Sequence, residues 1–392
     1  MFNFQDNPYS KTLHKHPYQI CTNCVIDTSD PWVQFDSLGV CNHCNNYYDY
    51  MTNTLGTKQE CAQKLDMLVE HLKKAGRGKD YDCIMGLSGG VDSSYLSCYV
   101  VKELGLRPLI VHVDAGWNSE LAVNNIQNLV ERLDIDLHTL VIDWEEMKDL
   151  QKSFFRSGIA NLDVPQDHAF VASLYKEASK YGIKDILNGG NMQTESILPE
   201  SWGYDANDAR SLISIQKKFG TKKLKNYPIY NQWHALFHYP LIKRMKTHRP
   251  LEWMEYTKEH AKSFLIKEMG WRDYGGKHYE STFTKFFQAH YLPEKFGYDK
   301  KKAHLASLVV SNQMTRQEAI EELKLPLYDP VELEQDRIYW CKKLDIDLDE
   351  FHRVMKEKPK FYSDYPNNSK RNALLRKYLK FAAKFYRLVV KK

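Results

Sequence analysis

Apolar positions along the chain alternate between short unbroken runs and helical periodicities. Lys58–Ala75 places Cys61, Leu65, Leu68, Val69 and Leu72 at helical spacing, and GRGKD at 76–80 breaks it. The run Cys83–Leu87 follows, then a helical stretch Tyr95–Leu104, a second run Pro108–Val113 and a helix that Ser119 could cap, extending to Leu133. A third run, Leu137–Ile142, precedes two helical stretches, Trp144 to about Phe155 and Gln166–Tyr181, and a short fourth run, Asp185–Leu187. Ala235–Ile242 (ALFHYPLI) reads as a fifth strand and Leu251–Met269 as a helix closed by Gly270. Strands alternating with helices predict an α/β fold, a doubly wound and mainly parallel sheet. Ligands of such sheets bind at the carboxyl ends of the strands, so the polar ends at 88–94, 114–118 and 188–196 should converge.

The chain has 392 residues, more than one typical domain. The pattern divides it into an N-terminal segment at 1–50, an α/β domain at 51–245 and a mainly helical C-terminal region at 246–392. Net charge is only +5, which does not call for nucleic acid as a partner. No run of eighteen apolar residues is present, so no membrane-spanning helix is expected. MFNFQDNPYSK lacks the basic-then-apolar order of a signal peptide, so a cytoplasmic protein with reduced cysteines is expected. The tail at 370–392 carries nine basic residues, no acid and an apolar stripe through Leu374, Tyr378, Phe381 and Phe385. Such a helix suits weak contact with an anionic membrane surface, or docking on the protein's own core or a partner.

Candidate chemistry concentrates where the first run ends. Leu87-Ser88-Gly89-Gly90-Val91-Asp92-Ser93-Ser94 reads as strand, glycine turn, helix start. Adjacent glycines let backbone N–H groups turn inward, and the helix adds unpaired N–H groups and its positive dipole end. Together they form a phosphate cradle. Ser88, Ser93 and Ser94 add hydroxyls, and Asp92 offers a hard oxygen for Mg2+. No Gly-Lys-Ser/Thr closes the loop, so it is not a Walker loop. Upstream, CTNC at 21–24 and CNHC at 41–44 have the spacing of a four-cysteine zinc ribbon with Cys21, Cys24, Cys41 and Cys44 as ligands. Four protein ligands leave no open position, so such a zinc would be structural; a redox pair or an iron–sulfur cluster are the competing readings. Cys61, Cys83, Cys98 and Cys341 are isolated and read as small buried apolar residues.

SGGVDSS resembles the pyrophosphatase loop of the ATP-pyrophosphatase (PP-loop) superfamily. That resemblance implies ATP as the substrate that activates an oxygen by adenylylation, with Mg2+. It also implies adenine on the backbone at Val113 and Asp114. NGGNMQTES resembles, imperfectly, a further superfamily motif and maps Asn191 and Glu195 onto the site. Glu195 would orient the nucleophile or bind Mg2+, or else serve only as a first-turn carboxylate. Lys285 and Lys301 are candidates for a C-terminal cation returning to the phosphates, with ion pairing as the alternative for each.

The order CTNC…CNHC, SGGVDSS, HVDAGWNS, NGGNMQTES and STFTKFF…LPEKFGYDKKKAHLASL is similar to that of N-acetyl sugar amidotransferases. Those enzymes serve bacterial surface-polysaccharide and nonulosonic acid synthesis. The resemblance implies a synthetase that adenylylates the N-acetyl oxygen of a diacetamido sugar, free or nucleotide-linked, and replaces it with ammonia from a separate glutaminase. The chain agrees in one respect: Phe2 follows the first methionine, where an N-terminal glutaminase nucleophile would require cysteine. A tRNA-thiolating enzyme of the same superfamily is the alternative.

Overall fold

In the computed structural model, residues 17–203, 205–276 and 279–375 are described. Helix α1 (Asn42–Tyr50) closes the cysteine segment, and α2 (Lys58–Ala75) begins at a capping box between Thr57 and Glu60. There follow β1 (Cys83–Gly86), α3 (Val91–Lys102), β2 (Pro108–Asp114), α4 (Glu120–Leu133), β3 (Leu137–Val141), α5 (Trp144–Ser157), α6 (Val164–Lys180), β4 (Asp185–Leu187), α7 (Met192–Glu195), α8 (Ala209–Phe219) and β5 (Lys246–His248). The C-terminal region is helical: α9 (Lys258–Met269), α10 (Thr282–Phe286), α11 (Leu292–Phe296), α12 (Lys300–Val310), α13 (Arg316–Glu322), α14 (Pro330–Leu344) and α15 (Leu348–Lys356).

The five strands form one parallel sheet in the order β3-β2-β1-β4-β5. Alternate residues of the central strands enter two separate cores. Ile84, Leu109 and Val111 pack with Ala169 and Ala172 of α6 on one face; Cys83, Met85 and Ile110 pack with Leu96, Val100 and Ile126 on the other. Burial on both faces is why these strands read as unbroken apolar runs. The chain winds outward from β1 in both directions, so a crevice opens at the carboxyl ends of β1 and β4.

Three segments differ from the sequence reading. In Leu251–Met269 the helix begins only at Lys258, capped by Thr257, after a separate 3-10 turn at Pro250–Trp253. Residues 235–242 are not a strand: His234–Ile242 forms a π-helix, and the fifth strand is Lys246–His248. Pro240 has no N–H to give a ladder, and Tyr239 buries its ring against Tyr175 and Tyr230 instead. The cysteine segment has only isolated bridges, Ile20 to Asp27 and Phe35 to Cys41, and its second knuckle is the first turn of α1. The basic tail beyond Leu375 lies outside the described residues.

Candidate functional site

A cavity of about 1100 Å3 lies over the carboxyl ends of the strands. One wall is the glycine loop. Ser88 and Ser93 hydroxyls bond each other at 3.1 Å, and Ser88 Oγ accepts the Gly90 N–H at 3.2 Å. Gly89 has a φ of +85°, and a Cβ there would press on the Ala122 carbonyl and Ile126 at 3.3 Å, so glycine is required. The Gly89 carbonyl is held away from the cavity: it accepts from Trp271 Nε1 at 3.0 Å and from the Tyr274 hydroxyl. Helix α3 then starts with Gly90 as its N-cap, presenting its first N–H groups beside the loop. The second glycine pair closes down on this end; a Cβ at Gly189 would stand 3.2 Å from the Ser93 nitrogen.

Leu87, Ser88, Gly90, Asp92, Ser93 and Val113 all line the cavity. Gly89 shapes the loop from behind, and Ser94 is buried inside α3, its N–H bonded to the Gly90 carbonyl. The Asp114 carboxylate is used by its own turn, accepting the Gly116 N–H at 2.7 Å and Asn118 Nδ2 at 3.3 Å. Asn191 caps α7 through the Thr194 N–H at 2.9 Å and is buried, while Glu195 opens into the cavity. Lys285 is absent from the cavity wall. Its ammonium pairs with Glu332 and Asp336 and lies over the Tyr328 ring. Lys301 likewise bonds the carbonyl and carboxylate of Glu322, at 2.7 and 3.0 Å. Both lysines take the ion-pair alternative. The lysines of 217–225 do not line the cavity either, and Lys222 pairs with Glu145 at 2.6 Å.

Other residues supply what those positions do not. Lys258 and Lys262, one turn apart on α9, and Lys300 at the start of α12 bring positive charge to the cavity. Glu280 reaches the glycine loop, with its carboxylate 3.3 Å from where a Gly90 Cβ would stand. Tyr256 donates its hydroxyl to Asp92, whose other oxygen faces Thr194 Oγ1 at 3.5 Å. Burial first, and the Asp92 charge second, hold the Tyr256 phenol well above its ordinary pKa, so it stays a proton donor. A lone tyrosine or glutamate far along the chain carries no motif. Only the helical reading of Leu251–Met269 hinted at α9, and it could not say which face met the cavity. Asp92, Glu195 and Glu280 are hard oxygen donors suited to Mg2+, which commonly takes one or two carboxylates and completes its shell with phosphate and water. Among the described residues they do not form a preassembled cluster of three ligands.

The four cysteines do. Their sulfurs lie within 4.8 Å of one another, with Cys21–Cys44 at 3.9 Å, Cys24–Cys41 at 3.7 Å and Cys41–Cys44 at 3.6 Å. A tetrahedral site with Zn–S bonds of about 2.3 Å has edges of about 3.8 Å, so the set fits zinc. Backbone N–H groups of Cys24, Ile26 and Cys41 point at sulfurs at 3.2–3.4 Å, as thiolates require. Hydrogen bonds among the sulfurs push the Cys21 thiol down and the Cys24 thiol up. His43 is not a ligand; its Nε2 meets Asp30 at 2.8 Å. The isolated cysteines are buried, and burial pushes the Cys98 thiol up to about 12 and the Cys341 thiol up to about 11.

Residues 280–380 match the family model described as LPS biosynthesis protein WbpG-like, C-terminal domain. The chain is 31% identical over 128 residues to one subunit of the glutamine-hydrolyzing GMP synthase of Methanococcus vannielii, covering 31% of this chain and 38% of that protein. It is 30% identical over 119 residues to the tRNA(Ile)-lysidine synthase of Chlamydia pneumoniae, covering 29% and 34%. The chain thus spans little more than a third of the length of these curated relatives. A solved NMN synthetase from Francisella tularensis superposes with a TM-score of 0.33 at 14% identity, over 78% of this chain and 98% of that one.

Proposed function

We propose that this protein is an ATP-dependent synthetase of lipopolysaccharide biosynthesis that turns the N-acetyl group of a diacetamido sugar into an acetamidino group. The observation that carries the reading is one continuous cavity that joins the glycine loop to a polar wall built by the C-terminal region. Its volume of about 1100 Å3 exceeds the range of about 300–1,000 Å3 common for one small ligand, leaving room for a nucleotide beside a second substrate. Val111, Val113, Phe170 and Leu174 offer an apolar slot for adenine next to the loop. The loop hydroxyls and α3 N–H groups hold phosphate oxygens, and Lys258 and Lys262 offset the charge that builds on pyrophosphate. Asp92, with Glu195 or Glu280, would hold Mg2+, which would neutralise phosphate charge when bound. Asp163, Asp167, Gln288 and Asn372 line the remaining wall, with the hydrogen-bonding character a sugar needs.

The amide oxygen attacks the α-phosphorus and pyrophosphate leaves; ammonia then adds to the imidate carbon and AMP leaves with the oxygen. The protein's task is to hold the amide in line and exclude water. Ammonia would come from a separate glutaminase. The WbpG-like match at 280–380, which covers much of the polar wall, supports a lipopolysaccharide substrate class. A thiolating enzyme needs a sulfur-carrying thiol near the loop. The described cysteines outside the cluster are buried, and burial raises the pKa of Cys83, Cys98 and Cys341. Incubating the protein with ATP, Mg2+, ammonium and a diacetamido sugar should yield AMP and pyrophosphate only when the sugar is present. AMP formation that ignores the sugar, or none at all, rejects the reading.

A further inference from the structure

The charge of this chain is sharply segregated. Residues 209–251 contain ten Lys and Arg and no Asp or Glu; residues 365–392 contain nine and none. The other 321 residues carry 36 basic and 50 acidic groups, so a near-neutral total conceals two cationic stretches on an acidic body. The two stretches meet in the fold. Gln232 Nε2 donates to Asn372 Oδ1 at 2.7 Å, Arg210 Nη1 to the Asn367 carbonyl at 3.2 Å, and Ser214 Oγ to the Pro366 carbonyl at 3.4 Å.

At their junction stands the π-helix His234–Ile242, whose outer side is apolar. Trp233, Phe237, Leu241 and Ile242 are 56%, 47%, 63% and 60% exposed. Trp233 and Phe237 stack with ring centroids 5.4 Å apart. Within this helix Tyr239 is the buried side chain, against Tyr175 and Tyr230, so one ring fixes the helix to the body while the apolar side chains project. Arg244 and Lys246 follow directly and are exposed. A contiguous exposed apolar patch marks an interaction site, and a scattered surface residue does not.

We propose that this face, centred on Trp233, Phe237, Leu241 and Ile242, docks on an anionic phospholipid surface. Charge complementarity selects a negatively charged occupant. The aliphatic Leu241 and Ile242 beside an indole select the interfacial region of a bilayer over a nucleic acid, whose phosphates offer nothing to cover them. Arg244 and Lys246 then sit at headgroup depth, where a negative surface potential attracts them.

The test is flotation of the full chain with vesicles of phosphatidylcholine alone or with phosphatidylglycerol. Binding is expected only to the anionic vesicles and should weaken at least tenfold as salt rises from about 50 to about 500 mM, in proportion to the screening of surface charge. The triple variant Trp233→Ser, Phe237→Ser, Leu241→Ser changes exposed side chains outside the cavity, and its melting curve should match that of the parent. It should lose at least tenfold in vesicle binding, and Arg244→Glu with Lys246→Glu should lose severalfold. No binding to anionic vesicles overturns the proposal. So does undiminished binding by the folded triple variant, which would assign the contact to the tail alone. Retention on a soluble polyanion such as heparin without vesicle binding would assign the charge to a different partner and equally reject it.

Discussion

Tyr256 and Asp92 show how far the candidate site depends on single atoms. Asp92 belongs to the contiguous SGGVDSS string and was legible because one short segment holds the strand end, the turn and the helix start. Its partner lies 164 residues away and is a lone phenol with no local pattern. Tyr256→Phe keeps the ring in its packing against Tyr95 and removes the phenol donor to Asp92. A hydrogen bond to a charged group is worth roughly 1.5–3 kcal/mol. The variant should therefore lose about 10- to 100-fold in ATP-dependent turnover, with a far-UV spectrum like the parent's, and Asp92→Ala should fall to background. Lys285 and Lys301 teach the converse. A lysine's position in sequence says nothing of its partner, and here Glu332, Asp336 and Glu322 satisfy both away from the cavity. Lys262 also has an acidic partner, Asp273, but both members of that pair lie on the cavity wall. Lys262→Ala should raise the ATP KM about tenfold, the worth of roughly 1.4 kcal/mol of phosphate binding; an unchanged KM would remove it from the phosphate site.

Among elements, strands that carry apolar residues were legible, the edge strand β3 (Leu137–Val141) among them, and the polar edge strand β5 was not. β1 and β2 write their burial as unbroken apolar runs. The edge strand Lys246–His248 is three largely exposed polar residues and leaves no trace, whereas the π-helix beside it is apolar for reasons of surface, not of sheet core. The C-terminal helices hide a different dependence. His290 packs against Phe286 and Phe351, with ring centroids 5.1 and 6.3 Å away. Burial, aided by Arg337, lowers its pKa from 6.5 to about 4. Between those values the unfolded chain takes up a proton that the folded chain refuses. The neutral form is therefore the stable one above pH 6.5, and stability drains as pH falls towards 4. One proton is worth about 1.4 kcal/mol per pH unit; with partial exposure, roughly 2 kcal/mol over the window is expected. His290→Phe removes that titration, so the drop in melting temperature from about pH 7 to about pH 5 should be smaller in the variant than in the parent.

At the scale of the whole molecule, the cysteine centre is tied to the candidate active-site cavity. Arg316 of α13 donates to the carbonyls of Cys21 and Cys24 at 2.9–3.2 Å, Lys302 of α12 pairs with Asp27, and Ser201 donates to Asp30 at 2.8 Å. The centre thus grips the C-terminal helices and the loop after α7, and it carries Trp32, 60% exposed, to the cavity wall. The cysteine spacing made the cluster legible, but nothing in it foretold a tryptophan at a distant site. A centre so small has little core of its own, and in such units metal binding and folding are one equilibrium. If the four sulfurs hold zinc, stripping it with a chelator should therefore free Asp27, Asp30 and Trp32 together. We expect a fall in melting temperature of roughly 5 °C or more, loss of sugar-dependent AMP formation, and recovery of both on adding zinc. Trp32→Ala separates the two effects, because it leaves the sulfurs untouched. It should keep the metal and the melting temperature and raise the KM for the sugar severalfold, with the KM for ATP unchanged. Equal rises in both would place Trp32 in general closure of the cavity instead of on the second substrate.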